Sequence, residues 1–331
     1  MRSNQANNIW LFAESKDNRL LPVFYECLTK AKSLANEIEN SKVSALILGN
    51  HLDQVVMEAL EAGVDQVYFV DDEKLRTYNS ESYAIVIKSI LQEMKPLAFL
   101  FGGTSTGYEL APCVAGKMKI GLAAHCVDIL ADKKEGMLSF VVPAFGGKIE
   151  GEILIPEHRP QMATVASGIF EIKKSEKVQG ARSEKLPCPE LPTPRVTFVS
   201  HIPSQEESQN LELAELVIGC GRGVGTDENF AAMEKLAKKL NGAIAFTRPA
   251  IDMGWAADDR AMVGSSGKSV GPKVYLGFGI SGATHHVSGI KKSDTIISVN
   301  KDEKASMLEM SDYKVVADAG AIINALLAAL E

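Results

Sequence analysis

Short apolar runs alternate with longer amphipathic segments through most of this chain, and that rhythm allows few folds. In the first half, Ile9-Trp10-Leu11-Phe12, Val43 to Leu48, Val67 to Val70 and Leu97 to Phe101 read as buried strands. Between them, Leu20 to Ile38 carries Phe24, Leu28, Ala31, Leu34, Ala35 and Ile38 at helical spacing. Leu52 to Ala62 is a helix stopped by Gly63, and Ser82 to Met94 one stopped before Pro96. Strands joined through helices pair in parallel, because the crossover carries the chain back to the starting edge. The expectation is a doubly wound, Rossmann-like sheet covered by helices.

From Ala124 the rhythm changes. Cys126 to Leu130, Leu138 to Val142, Ile149 to Ile155 and Gln161 to Ser167 are strand-like runs with short polar connections, expected as β-hairpins added to the first sheet. Lys173 to Pro194 is charged and then proline-rich, an extended connector. Arg195 to Ile202 is a candidate last strand of the first sheet. The boundary is expected within Ser204 to Gln209, giving domains 1–205 and 206–331. At 331 residues, two domains agree with ordinary domain size. The second domain repeats the alternation with strands at Glu215 to Ile218, Ala243 to Phe246, Val274 to Phe278, Thr295 to Val299 and Lys314 to Ala317. Thr226 or Asp227 caps a helix with Phe230, Met233, Leu236, Ala237 and Leu240 on one face. A second doubly wound, mostly parallel α/β domain follows.

Composition excludes several classes of function. A net charge of −7 argues against nucleic acid, which needs clustered Lys and Arg. Five cysteines, odd in number and without a CxxC pair, argue against a disulfide framework or a metal cluster. Adjacent His285-His286 cannot both face one metal on a regular element. No metal site and no catalytic residues are expected. The apolar tail Ala319 to Leu330 is too short for membrane insertion, the first residues show no export signal, and a cytoplasmic location is expected.

The carboxyl ends of parallel strands line one edge, where such sheets bind ligands. In the first domain that edge holds Gly102 to Gly107, read as a tight turn with Thr104 or Ser105 capping a helix over Glu109 to Met118, or as an anion cradle. No cofactor is placed there. His158 and Arg159 lie in a loop that serves either a ligand or solvent. In the second domain, Gly219 to Gly225, Thr247-Arg248, Ile280 to His286, Asn300 and Asp318 fall on one edge, and Val263-Gly264-Ser265-Ser266-Gly267-Lys268 adds a second loop rich in glycine and hydroxyls. Neither loop has GxGxxG or Walker spacing, and no nucleophile stands beside a base. The residues suit a cofactor that brings its own reactivity, a flavin or nicotinamide dinucleotide. The alternative is a nucleotide-binding module without redox chemistry.

The stretch Val274 to Asp302, with Ile280-Ser281-Gly282-Ala283, His286, Gly289, Ser293, Asn300 and Asp302, closely resembles the signature of electron-transfer flavoprotein alpha subunits. Gly221-Arg222-Gly223 with Glu228-Asn229-Phe230, Arg248 to Asp252 and Asp312-Tyr313 to Asp318 extend the likeness. So do Pro143 to Gly147 and His158 to Val165 in the first half. The resemblance implies one FAD held by the second domain, and a first domain without cofactor that packs against a beta subunit. It implies electrons taken from a dehydrogenase, such as an acyl-CoA dehydrogenase, and passed on through a flavin semiquinone. A bifurcating relative would instead oxidise NADH with a second FAD on the beta subunit. By family pattern, Arg222 lies against the isoalloxazine, and Thr247 and Arg248 contact the cofactor. Val263, Gly264, Ser265 and Ser266 run along the flavin, with Ser266 toward N5. Ser281, Gly282, Ala283, Thr284, His285 and His286, following Ile280, cradle pyrophosphate and ring, with His286 near the C2 carbonyl. Asn300, Asp318 and Ala319 hold the adenosine end. Many relatives carry Gln-Thr-Gly where this chain has Ser265-Ser266-Gly267, Lys314 replaces a common glycine, and Lys304 to Met307 replaces a segment with proline.

Overall fold

A computed structural model describes residues 7–132, 136–144, 149–173, 175–200, 211, 214–256, 261–265 and 267–330. The chain divides into two compact units, Met1–His201 and Ile202–Glu331. The boundary expected within Ser204 to Gln209 lies outside the described residues.

The first unit contains β1 (Ile9–Phe12), a hairpin of β2 (Ser15–Lys16) and β3 (Arg19–Leu20), α1 (Pro22–Ala35), β4 (Val43–Gly49), α2 (Asp53–Glu61) and β5 (Gln66–Asp71). It continues through α3 (Ser80–Met94), β6 (Ala98–Gly103), α4 (Ser105–Met118), β7 (Leu122–Cys126), β8 (Asp128–Asp132), β9 (Met137–Ala144), β10 (Ile149–Leu154), β11 (Gln161–Ala166) and β12 (Arg182–Lys185). Its main sheet runs β12-β5-β4-β1-β6-β11-β7, parallel throughout. Alternate residues fill two cores. Ile9, Leu11, Ala45, Ile47 and Leu100 face the side of α1 and α2. Trp10, Phe12, Leu46, Leu48, Phe99 and Phe101 face the side of α3 and α4. The central strands β1, β4 and β6 are buried on both faces, which is why their runs are continuously apolar. Caps set the helix starts. Asn79 accepts from the amides of Glu81 and Ser82, each at 3.1 Å. Thr104 accepts from Gly107 N at 2.9 Å, so α4 begins at Ser105 rather than Glu109.

Three expectations are corrected in this unit. The runs after Ala124 do not all join as hairpins. β8, β9 and β10 form a separate antiparallel sheet, while β7 and β11 are parallel strands of the main sheet. Gln161 marks the seam. Fully buried, its side chain accepts from Leu138 N and donates to Leu138 O, both at 2.8 Å, as a neighbouring strand would. Secondly, the segment read as a connector contains an edge strand, β12, paired with β5. Finally, Arg195 and its neighbours are not a strand. Arg195 N donates to the Glu81 carboxylate at 2.9 Å instead of to a sheet. Arg159, in the loop before β11, turns inward on its own segment, donating to the carbonyls of Ile155, Pro156 and His158.

The second unit contains β13 (Leu216–Cys220), α5 (Asp227–Leu240), β14 (Ala243–Phe246), α6 (Arg248–Asp252), β15 (Val274–Phe278), α7 (Thr284–Val287), β16 (Thr295–Asn300), α8 (Ser306–Glu309), β17 (Tyr313–Val316) and α9 (Ala319–Ala329). The sheet order is β14-β13-β15-β16-β17, all parallel. Ile218, Cys220, Leu276 and Phe278 pack under α5 and α9. Val217, Tyr275 and Ile296 pack on the other side with Val263, Val270, Ile290 and Met307. Thr226 caps α5 on Asn229 N at 3.3 Å. Asp227 and Glu228 in its first turn and Lys238 and Lys239 in its last complement the helix dipole.

Candidate functional site

In the order β14-β13-β15-β16-β17 the connections leave β13 in one direction and return to β15 on its other side. The crevice between the carboxyl ends of β13 and β15 is therefore the topological switch point, where open α/β sheets bind ligands. Glycines let the two strand ends cross there at backbone contact. Gly221 N donates to Phe278 O at 2.9 Å and Gly223 N to Gly279 O at 3.0 Å. Gly279 has φ +64°, and a Cβ on it would lie 2.4 Å from the carbonyl carbon of Gly223. Asn300, at the end of β16, ties the next position: its amide donates to Ile280 O at 2.8 Å and its carbonyl accepts from Asp302 N at 3.0 Å.

Residues 262–265, 267 and 268 form a strap from the end of β14 to the loop after β15. Val263 N donates to Phe246 O at 3.0 Å, and Ser265 N donates to His285 O at 2.7 Å. A Cβ on Gly289 would lie 2.5 Å from Gly264 N, so only glycine lets the strap lie this close. Two side-chain contacts complete the join. Ser265 Oγ meets His285 Nδ1 at 2.8 Å on the surface. His286 is buried, its Nδ1 3.0 Å from Val263 O and its Nε2 2.9 Å from the hydroxyl of Tyr275. Burial pushes the His286 pKa down, partly opposed by the Val263 hydrogen bond. The two loops singled out from sequence are thus one stitched unit. Ser266 lies outside the described residues.

Chemistry at this edge comes from what is left unpaired. Among the described residues, the backbone amides of Ser281, Gly282, Ala283, Thr284 and His285 donate to no protein acceptor. Gly282, at φ +89°, turns this run against Met307 N. Ser281, Ala283, Thr284 and His285 are exposed. A run of free amides around a left-handed glycine is an anion-binding concavity. Arg222, exposed in the 3-10 turn after β13, has no ion-pair partner among the described residues. Arg248 instead holds Asp252 at 3.0 Å. Thr247 is buried at the start of α6, and Ile280, Val263 and Gly264 are buried in the seam. Asp318 caps α9, accepting from Ala321 N at 3.1 Å, with buried Ala319 behind it.

The structure therefore brings Arg222, Val263 to Ser265, Ile280 to His286 and Asn300 together by direct contact or at the same strand crossing. Thr247-Arg248 and Asp318-Ala319 sit at the ends of the strands on either side. Two participants escaped the sequence reading. Tyr275 reads only as part of the strand Val274 to Phe278, and Met307 only as the end of a segment that replaces one with proline. Their signal lies in the glycines they abut, Gly219 under Tyr275 and Gly282 against Met307.

Free amides at a switch point beside an unpaired guanidinium fit a dinucleotide with a diphosphate and a ring that gains negative charge. Comparison with known proteins decides which dinucleotide. Residues 9–191 match the Electron transfer flavoprotein domain, and residues 210–291 the Electron transfer flavoprotein FAD-binding domain. The chain is 36% identical to Protein FixB of Clostridium saccharobutylicum over 97% of this chain and 95% of that one. It is 33% identical to the electron transfer flavoprotein subunit alpha of Thermoanaerobacterium thermosaccharolyticum, over 98% of each. It is 32% identical to the lactate dehydrogenase (NAD(+),ferredoxin) subunit LctC of Acetobacterium woodii, over 98% of this chain and 77% of that one. Family membership favours FAD over the nicotinamide and non-redox readings, and alpha subunits of this family pair with a beta subunit. No helix among the described residues is long and apolar enough to cross a membrane. The chain belongs to the electron-transfer flavoprotein family, as an FAD-binding alpha subunit.

Proposed function

We propose that this chain, paired with its beta subunit, carries electrons from a cytoplasmic dehydrogenase to an acceptor, with its single FAD seated on the carboxyl edge of the second unit, within 206–331. An acyl-CoA dehydrogenase is the donor class that the family resemblance favours. The observation that carries the reading is the run of five amides from Ser281 to His285 that find no acceptor among the described residues, on the same strand edge as Arg222, which has no ion-pair partner among them. FAD, when bound, supplies reversible uptake and release of electrons. The chain's residues bind and orient it. The 281–285 amides take the pyrophosphate oxygens, and Arg222 provides fixed positive charge where the reduced ring becomes anionic. Val263 to Ser265, with Ser266, line the ring edge. Thr247 and Arg248 contact it from the β14 side, Arg248 held in place by Asp252. Asn300 keeps Ile280 in register, and Asp318 and Ala319 at the start of α9 meet the adenosine end. The beta subunit packs on the first unit, 1–205, which carries no cofactor of its own.

The test is the visible spectrum and flavin count of the co-purified pair, followed by reduction with a dehydrogenase and its acyl-CoA substrate. One FAD per pair, reduced by the dehydrogenase and not by NADH, is the expected result. Two FAD per pair with rapid NADH reduction would place the chain with relatives such as the lactate dehydrogenase (NAD(+),ferredoxin) subunit instead. A colourless pair would overturn the reading.

A further inference from the structure

A run of amides cradles an anion only if its own backbone is fixed, and the 281–285 run is fixed from behind. Met307, in α8, donates its amide to Ser281 O at 3.2 Å. A Cβ on Gly282 would lie 2.7 Å from Met307 Cα, so the left-handed glycine rests directly on this residue's backbone. Met307 is buried, and so are Ser298 on β16 and Ser311 just before β17. Ser311 Oγ lies 2.6 Å from Met307 O and 2.7 Å from Ser298 Oγ. Met307 O only accepts, so the single Ser311 proton goes to it, and Ser298 donates to Ser311. A hydrogen-bonded chain thus runs from the sheet to the cradle: Ser298 to Ser311, Ser311 to Met307 O, and Met307 N to Ser281 O. The core layer around Met307 is otherwise apolar, with Ile280, Ile290 and Ile296, and buried hydroxyls there cost free energy unless each is bonded.

We propose that Ser311 is a positioning residue that sets the 281–285 amides for the FAD pyrophosphate by holding the Met307 peptide, with Ser298 directing its hydroxyl. The ligand rests on the FAD reading above; the clamp on Met307 does not. Many relatives carry proline in the segment that here reads Lys304 to Met307, and a proline ring fixes φ by itself. This chain has no proline there, and the Ser311 hydroxyl supplies the restraint. The two serines are not equivalent. Without Ser298, Ser311 still donates to Met307 O. Without Ser311, Met307 O and the Ser298 hydroxyl both lose a buried partner, and FAD affinity falls about tenfold. Proline offers the converse. Ala305, at φ −60° and ψ 125°, already has the extended geometry of a residue before proline. Ser306 opens α8, is exposed, and its amide donates to no backbone acceptor among the described residues, so Ser306→Pro forfeits no bond there.

The test uses the pair with its beta subunit, freed of flavin and titrated with FAD, with the bound pyrophosphate read by 31P NMR. Ser311→Ala should weaken FAD binding about tenfold and shift the pyrophosphate resonances, while Ser298→Ala changes affinity by no more than about twofold. Ser306→Pro added to Ser311→Ala should bring affinity and resonances back toward wild type. Unfolding in urea separates positioning from stability, because both serine variants lose a buried hydrogen bond. Affinity that follows stability alike in both variants, wild-type affinity and resonances in Ser311→Ala, or no recovery with proline overturns the positioning role. Should Ser311→Ala fail to fold, deuterium exchange on the wild-type pair decides: the Met307 amide should be protected, and rapid exchange there overturns the clamp. A wild-type pair that takes up no flavin sinks the proposed function, while exchange at Met307 still decides the clamp.

Discussion

Replacing Gly279 by alanine attacks the point where the β13 and β15 loops cross. The residue sits at φ +64°, and its Cβ would lie 2.4–2.6 Å from Gly223 C, Gly223 Cα and Val224 N, all backbone atoms that cannot rotate aside. Left-handed strain costs about 1–2 kcal/mol. Prising the loops apart adds about 1–3 kcal/mol of overpacking. The Gly223 N to Gly279 O hydrogen bond, worth about 1 kcal/mol, is lost as well. The sum is about 3–6 kcal/mol. Gly225→Ala provides the control in the same region. Its φ is +92°, but the nearest atom to a new Cβ is Gly223 O at 4.0 Å, so strain alone applies, about 1–2 kcal/mol. Both variants, co-expressed with the beta subunit, would be unfolded in urea and followed by circular dichroism and by release of flavin fluorescence. Gly279→Ala should fall short of Gly225→Ala by about 2–4 kcal/mol and bind FAD at least tenfold more weakly. If the two agree within about 1 kcal/mol and both hold FAD normally, the crossing does not shape the site.

Arg222→Ala removes a charge with no ion-pair partner among the described residues, and spectroelectrochemical titration should show the potential of the first one-electron step fall by about 60 mV for each tenfold loss in favour of the reduced ring. Gln161→Leu strands the Leu138 amide and carbonyl, and should lower stability by about 2–4 kcal/mol in urea while FAD content stays unchanged. The His286 pKa is depressed in the fold, so an unfolded chain takes up a proton near pH 6.5 that the native chain refuses. Stability is then full above about pH 6.5 and falls as pH drops below it; His286→Gln should flatten that slope between pH 7.5 and 5.5. Burial pushes the Cys220 thiol up to about 12, so it should resist alkylation at pH 8 until denaturant is added, whereas half-exposed Cys113 and Cys188 should react first.

Most strands of both sheets were legible because each is buried on two faces and bounded by helices whose apolar spacing is plain. β12 was not: Arg182-Ser183-Glu184-Lys185 has no apolar side chain, yet it pairs with β5 in parallel register. The separate sheet of β8 to β10 escaped because strand patterns reveal alternation but not partners, and the seam with β11 is bonded by the buried Gln161 side chain. Within the site, every glycine could be read as a turn. That Gly223 touches Gly279, or that Gly289 touches Gly264, depends on sheet register, which local sequence does not carry. Tyr275 and His286 are eleven positions apart. Their meeting requires the tyrosine to lie beneath Gly219 of a neighbouring strand. Resemblance named candidate FAD residues, yet it could not reveal that the His286 ring nitrogens meet the Tyr275 hydroxyl and the Val263 carbonyl.

The strand order has a consequence for how the protein is made. Cys220 leaves the ribosome early, but its neighbour Phe278 comes only after α5, β14, α6 and the strap, and Asn300 later still. Until β16 is synthesised the Asn300 amide that holds the Ile280 carbonyl is missing, and until α8 follows Met307 does not back Gly282. If FAD binds at the proposed edge, its capture waits for the final stage of translation, and a chain that stalls before Asn300 is expected to leave the ribosome colourless.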